Sequence, residues 1–148
     1  MKSHDVLIYH RTLAAILALI GLNAVVAGFG FMGTPDGSAL GIPQDWLADT
    51  PFKDYLIPGA ILFGLGVLHL WAAYLQFKRD RSASKIAEIA GLGLVIWIVV
   101  QAAMMGSFRH PTQTILQAEC IVLGLATVFL ASRQMSIRRQ ARIRTQHP

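Results

Sequence analysis

Four long stretches without clusters of charge alternate with short polar segments along the chain. They cover residues 12–35, 55–77, 89–108 and 110–132, and only the last contains a charged residue, Glu119. Crossing about 30 Å of hydrocarbon takes roughly 20 helical residues, so each stretch is long enough to span a membrane. Leu, Ala and Ile dominate, and none of the stretches has the strict apolar/polar alternation of a barrel strand. The pattern therefore predicts four transmembrane helices.

A water-soluble four-helix bundle is excluded because each of its helices would need a polar face. Residues 97–100 (Trp-Ile-Val-Val) have apolar neighbours on every side. The predicted fold is an all-α membrane protein, a four-helix up-down bundle forming one domain over residues 1–148. We place its helices at about 11–33, 54–77, 86–107 and 111–133, its outer loop at 34–53, a short helix at 43–48 and a basic tail at 134–148.

Local signals refine these boundaries. The first apolar region is about 21 residues long, more than the 7–15 of a signal-peptide core, so we expect a retained span. Thr50-Pro51 is typical of a helix start. Pro58 would then lie one to two turns inside the second helix, where it is expected to produce a kink.

The composition agrees with this interpretation, since 54% of the residues are hydrophobic, only 14% are charged and the mean hydropathy is +0.51. The positive charges that give the net charge of +5 are concentrated on one side of the predicted spans. Eleven Lys and Arg residues flank one side of the predicted spans, whereas only Lys53 and Arg109 flank the other. The positive-inside rule then predicts that both termini are cytoplasmic.

The basic tail is expected to contact anionic lipid headgroups, which attract each cation by about 1 kcal/mol. Nucleic-acid binding is not predicted, because the tail has no interleaved aromatic residues and no recognisable module. A docking surface for a cytoplasmic partner is the alternative. The headgroup-contacting residues would be Arg133, Arg138, Arg139, Arg142 and Arg144.

Gln101 and Glu119 form the most specific polar pair at membrane depth. They lie nine residues either side of His110, and both would sit about 8–12 Å below the outer surface of a helical hairpin. The pair predicts either a structural hydrogen bond between helices or an outward-facing polar pocket centred on Glu119. The pocket residues would be Glu119, Gln101, Gln117, Arg109, Asp54 and Tyr55.

Asn23 and His69 lie nearer the midplane, at heights that differ by about 5 Å, and are expected to hydrogen-bond directly or through water. Haem ligation by His69 is disfavoured, because no second His, Met or Cys lies at its depth. We therefore predict neither a cofactor nor a metal site. Cys120 is the only cysteine, which excludes an intramolecular disulfide.

The sequence contains no catalytic constellation at compatible depths and no phosphate-cradling loop, so enzymatic activity is not favoured. It broadly resembles small four-span proteins of bacterial membranes, which implies the plasma (inner) membrane of a bacterium. It lacks the paired cysteines of quinone-coupled thiol oxidoreductases and the first-span acid of small multidrug transporters. We expect a non-catalytic subunit or accessory component, as a homo-oligomer or within a larger membrane complex. The alternative is a small-molecule binding or transport protein that uses the pocket around Glu119 and Gln101.

Overall fold

A computed structural model describes residues 3–105 and 111–146, and within them it is helical and contains no strand. Four long helices follow one another: α1 (Ser3–Gly33), α2 (Leu56–Phe77), α3 (Ala83–Met105) and α4 (Pro111–Gln146). Two single-turn 3₁₀ helices, Ser38–Leu40 and Gln44–Leu47, interrupt the long loop between α1 and α2. The prediction of an all-α fold with four long helices is confirmed.

Each long helix contains a segment long and apolar enough to cross a membrane: Ile8–Gly33, Leu56–Phe77, Ala83–Met104 and Pro111–Gln140. This arrangement is compatible with a multi-pass membrane protein. Neighbouring helices run antiparallel, because Gly21 of α1 packs on Gly66 of α2 while Gly28 packs on Gly59. In the same way Gly91 of α3 meets Gly124 of α4, and Ser84 nearer the start of α3 meets Gln134.

Glycines allow the backbones within each of the two hairpins to approach closely. A Cβ atom added at Gly28 would lie 2.5 Å from the backbone nitrogen of Phe63 and 2.7 Å from the carbonyl oxygen of Gly59. A Cβ at Gly91 would lie 2.9 Å from the carbonyl oxygen of Gly124. Small residues at helix contacts are the usual means of tight packing in membranes, where lipid offers no hydrophobic drive for helix association.

The boundaries of α1, α4 and α2 differ from those expected from the sequence. α1 begins at Ser3 rather than near residue 11. α4 continues to Gln146, so the basic segment after residue 133 is helical rather than a separate tail. Its Arg, Gln, Ala and Met residues are good helix formers, and no Gly or Pro interrupts it before Pro148.

α2 begins at Leu56, whose N–H donates to the Asp54 carboxylate over 2.9 Å, and not at the Thr50-Pro51 signal. The Thr50 hydroxyl instead accepts from the Phe52 N–H and donates to the Leu47 carbonyl, which stabilises the preceding turn. Pro58 therefore lies in the first turn of α2. The N–H that proline lacks would have no partner within the helix at this position, so the kink expected at Pro58 has no physical cause.

The bundle has two ends that differ in composition. The terminal end contains the start of α1, the α2–α3 turn and the C-terminal part of α4. The loop end contains the α1–α2 loop, the end of α3 and the start of α4. Apolar side chains fill the bundle between them, with Leu13, Leu17, Ala72, Ala87 and Ala131 fully buried toward the terminal end.

Candidate functional site

Four buried polar side chains, one from each long helix, meet at the terminal end. His10 Nδ1 lies 2.8 Å from Gln76 Oε1, and Gln76 Nε2 donates to Gln134 Oε1 over 2.9 Å. The Ser84 hydroxyl donates to the same Gln134 oxygen over 2.6 Å, and Gln134 Nε2 lies 2.9 Å from His10 Nε2. All four side chains are at most 6% exposed. We refer to His10, Gln76, Ser84 and Gln134 as the polar clasp.

Both ring nitrogens of His10 lie within hydrogen-bond distance of polar side chains. Gln76 Oε1 accepts a hydrogen bond when His10 Nδ1 carries the proton. Gln134 Nε2 lies 2.7 Å from His10 Nδ1 and 2.9 Å from His10 Nε2, and the Arg138 guanidinium lies 3.4 Å from His10 Nε2. The ring is thus surrounded by polar groups, as a buried polar side chain requires.

Arg138 extends the clasp to the turn between α2 and α3. Its guanidinium donates to the carbonyl oxygens of Asp80 and Arg81 over 3.2 and 3.3 Å. The Asp80 carboxylate accepts from both the hydroxyl and the N–H of Ser82, which lowers the pKa of Asp80 below its ordinary value. Arg79 in this turn has a φ of 54°, in the left-handed region that costs a residue with a Cβ atom free energy. Through these contacts α4 is fixed to the α2–α3 turn.

The clasp was not predicted from the sequence. The available signal was that all four spans carry an uncharged polar side chain near the same end. Side chains at the same height are in contact only when each helix is also rotated so that they face one another. The sequence does not show how each helix is rotated about its axis.

At the loop end, a cavity of about 20 Å³ lies between the α1–α2 loop, α2 and α3, which is room for about one water molecule. Two predicted pocket residues, Tyr55 and Gln101, line it together with Leu47, Thr50, Phe52, Pro58, Trp97 and Met104.

Tyr55 connects this cavity to the loop. Its hydroxyl donates to the Pro43 carbonyl over 2.8 Å, and its ring stacks on Phe31 with centroids 4.7 Å apart. Burial raises the pKa of Tyr55 to about 12, because the phenolate would lose its hydration. The indole Nε1 of Trp97 is buried and has no hydrogen-bond partner in the described part of the chain.

The remaining predicted pocket residues do not join this cavity. Glu119 is exposed on α4 and makes no hydrogen bond with Gln101, and Gln117 is half-buried without lining the cavity. Asp54 caps the start of α2. Arg109 lies outside the described residues. Equal height thus does not bring Gln101 and Glu119 together, because Gln101 points toward α2 and the loop while Glu119 points away from the bundle.

Asn23 and His69 do not pair either. Asn23 is exposed and donates to the Leu19 carbonyl of its own helix over 2.9 Å. His69 is fully buried and its Nδ1 donates to the Leu65 carbonyl over 2.7 Å, so its Nε2 holds a lone pair without a partner among the described residues. Each side chain hydrogen-bonds to a carbonyl oxygen one turn earlier in its own helix rather than to a group on another helix. Within the described residues, no group of three or more His, Cys, Asp or Glu is placed to hold a metal ion.

The helix that the bundle covers least is α4. Only 17% of its apolar segment is buried, compared with 33 to 39% in the other three helices. Ile115, Val122 and Phe129 lie seven residues apart and are 58 to 66% exposed, and Ala118 and Leu125 between them are also exposed. This 3-and-4 spacing places them along one side of the helix. We refer to these five residues, with Glu119 beside them, as the α4 face.

The predicted headgroup residues lie beyond the α4 face toward the C-terminus. Arg133 and Arg139 are exposed, and the Arg133 guanidinium covers the Phe129 ring at 5.3 Å. Arg138 is half-buried because it is used at the clasp. The side chains of Arg142 and Arg144 lie outside the described part of the structure.

Comparison with models of known protein families, with curated proteins and with solved structures finds no match for this chain.

Proposed function

We propose that this protein is a non-catalytic membrane subunit whose α4 face packs against a transmembrane helix of another protein chain. The observation that carries the proposal is the low coverage of α4, since only 17% of its apolar segment is buried, compared with 33 to 39% in the other three helices. α4 therefore leaves more of its apolar surface uncovered by this chain than the other helices do, and a partner helix would cover that surface.

Glu119 supports the same proposal. Its side chain is exposed among apolar neighbours, about eight residues and therefore roughly 12 Å from the start of α4. A carboxyl group that faces hydrocarbon costs several kcal/mol, and ionisable side chains within spans usually face other helices. A partner helix with a hydrogen-bond donor at this depth would remove that cost.

The distribution of charge supports an orientation with both termini in the cytoplasm of a bacterium and the chain in its plasma (inner) membrane. Exposed cations gather at the terminal end, and the helical extension of α4 carries several more. The positive-inside rule assigns such an end to the cytoplasm. There Arg133 and Arg139 would contact anionic headgroups, which attract basic segments next to a span.

Disulfide cross-linking in the native membrane tests the proposal. In a Cys120→Ser background, Val122→Cys places one thiol on the α4 face, and Val67→Cys places a matched thiol on the exposed side of α2. We expect an oxidant or a short bifunctional reagent to link Val122→Cys to a second chain but to leave Val67→Cys unlinked. Equal linking of both variants, or linking of neither, would argue against a specific α4 contact.

The small-molecule alternative has weaker support. The cavity that contains Gln101 and Tyr55 holds about one water molecule, and Glu119 lies outside it. Its one favourable feature is the unpaired indole N–H of Trp97, a donor that a ligand carbonyl would satisfy. Candidate ligands are screened for a rise in the unfolding temperature of the protein. A rise that is lost in Trp97→Phe and kept in Glu119→Gln would favour this alternative.

A further inference from the structure

We propose that the chain covering the α4 face is a second copy of this protein, and that Glu119 of one protomer hydrogen-bonds to Asn23 of the partner subunit. The inference rests on the proposed function, because it names the occupant of the same face. Among the described residues, Asn23 and Glu119 are the only exposed Asn, Gln, Asp or Glu side chains more than five residues inside an apolar segment. In a single copy each would face hydrocarbon, where polar groups pair with one another when a partner is within reach.

The two side chains lie at matching heights in the bundle. α1 and α4 run antiparallel and meet at the polar clasp, where His10 contacts Gln134. Asn23 lies 13 residues beyond His10 and Glu119 lies 15 residues before Gln134, which places them about 20 and 23 Å from the clasp. A Glu side chain spans this difference of about 3 Å. Copies with the same orientation are related by an axis along the membrane normal, so the height match also holds between protomers.

The hydrogen-bonding groups of the pair complement each other. Asn23 Nδ2 donates one N–H to the Leu19 carbonyl over 2.9 Å, and no hydrogen bond of the described residues uses its second N–H or its Oδ1. Glu119 forms no hydrogen bond among these residues either. The second N–H of Asn23 can donate to either oxygen of Glu119, whether the carboxyl is charged or neutral.

The apolar residues around the pair are also in register. The α1 face consists of Asn23 and four neighbouring side chains that are 57 to 68% exposed: Leu19, Leu22, Val26 and Phe29. Leu22 on this face and Val122 on the α4 face both lie 12 residues from the clasp. Phe29 and Ile115 both lie 19 residues from it. Packing of the α1 face on the α4 face of a second copy would therefore cover large apolar side chains of both helices along with the polar pair.

A twofold dimer makes this contact twice. α1 and α4 are neighbours within one protomer, since the Tyr9 hydroxyl donates to the Leu130 carbonyl over 3.1 Å. A twofold axis beside them places each α1 against α4 of the other copy and closes the assembly. The two α4 helices then lie diagonally across the axis, about 13 Å apart for neighbouring helices spaced by about 9 Å, which a short bifunctional reagent bridges. A direct contact between the two α4 helices would instead set Glu119 and Arg133 each against its own copy.

Association of the purified full chain in phosphatidylcholine vesicles tests the pairing. In a Cys120→Ser background, the exposed Ala39→Cys carries a donor fluorophore on half of the molecules and an acceptor on the rest. Energy transfer at increasing protein-to-lipid ratios gives the dissociation constant of the dimer. Asn23→Leu and Glu119→Leu should each raise this constant about eightfold or more, the effect of losing two interhelical hydrogen bonds per dimer. Gln117→Leu, at a half-buried position two residues from Glu119, should change it less than about twofold.

Two combined variants separate a direct contact from a general loss of packing. The double variant Asn23→Leu with Glu119→Leu should dissociate no more readily than either single variant, because each removes the same contact. Asn23→Glu with Glu119→Asn should bring the dissociation constant back to within about threefold of the wild type, because an amide again faces a carboxyl. Additive losses in the double variant, or no recovery in the exchanged one, would overturn the pairing.

Cross-linking in the native membrane separates this inference from the proposed function. Two differently tagged copies are co-expressed in a Cys120→Ser background, one with Leu22→Cys and the other with Val122→Cys. We expect an oxidant to form the mixed disulfide dimer, and to form none when Val67→Cys takes the place of Leu22→Cys. If Val122→Cys is linked to a different protein instead, the proposed function stands and the second copy is overturned. A Val122→Cys chain linked to nothing would contradict both.

Discussion

Gln76 and Gln134 lie 58 positions apart in the chain, and the amide of one donates to the amide oxygen of the other over 2.9 Å at the terminal end of the bundle. Through this contact and those of Gln134 with His10 and Ser84, each of the other three helices is joined to α4 by a side-chain hydrogen bond. Elsewhere the helices meet mainly through apolar side chains and glycines.

Replacement of Gln134 tests how much the clasp stabilises the bundle. Gln134→Leu removes partners from His10, Gln76 and Ser84 at once, and buried groups left without partners cost about 1–3 kcal/mol. We expect the free energy of unfolding in mild detergent to fall by this amount. Gln140→Leu is the control on the exposed side of the same helix. If the two variants unfold alike, the clasp contributes no stability.

Close packing between α1 and α2 depends on Gly28. Gly28→Ala would place a Cβ atom 2.5 Å from the Phe63 backbone nitrogen, and forced separation of packed elements costs about 1–3 kcal/mol. The matched control is Gly64→Ala, where nothing lies within 4 Å of the added atom. Thermal unfolding should show a loss for Gly28→Ala alone. An unchanged unfolding temperature for Gly28→Ala would mean that the hairpin is more loosely packed than described.

Because Tyr55 is buried, we expect the protein to lose stability at alkaline pH. Its pKa is raised from 10.0 to about 12 in the folded protein, so the folded state keeps a proton that the unfolded state releases between these values. Its contribution is complete below about pH 10 and decreases as the pH rises toward about 12, by up to about 2–3 kcal/mol. The difference in unfolding free energy between the wild type and Tyr55→Phe should shrink over this range. If this difference in unfolding free energy does not change with pH, the buried phenol of Tyr55 is not the source of the loss of stability.

Labelling in intact cells tests the proposed orientation. In a Cys120→Ser background, Ala39→Cys reports the α1–α2 loop and Ser136→Cys reports the terminal end, both at exposed positions. A membrane-impermeant maleimide should label Ala39→Cys in intact cells and Ser136→Cys only after the cells are permeabilised. The reverse pattern would place the termini outside.

The number and antiparallel order of the helices followed from the sequence because membrane thickness fixes the length of a span and short connections make neighbours antiparallel. The extension of α4 was missed because the polarity after residue 133 was interpreted as the end of a helix. Polarity marks where a helix leaves the membrane, whereas helix propensity decides where it ends.

The candidate site was harder to predict, since residue numbers give the height of a side chain but not its direction. Gln101 and Glu119 were predicted to lie at the same height, yet one lines the loop-end cavity and the other faces away from the bundle. His69 and Asn23 differ in the same way. Helix rotation depends on where glycines permit close contact, and this is a property of helix pairs rather than of one segment.

Coverage of the α4 face by another chain is tested most directly by the composition of the protein extracted with its surrounding lipid. Native mass spectrometry of polymer-extracted nanodiscs should show the chain in a complex with at least one further protein chain, either a second copy or a different protein. Val122→Trp, which alters the α4 face without adding charge, should release the chain as a monomer, whereas Val67→Trp should not. A wild-type protein that is a single chain in these particles would contradict the account.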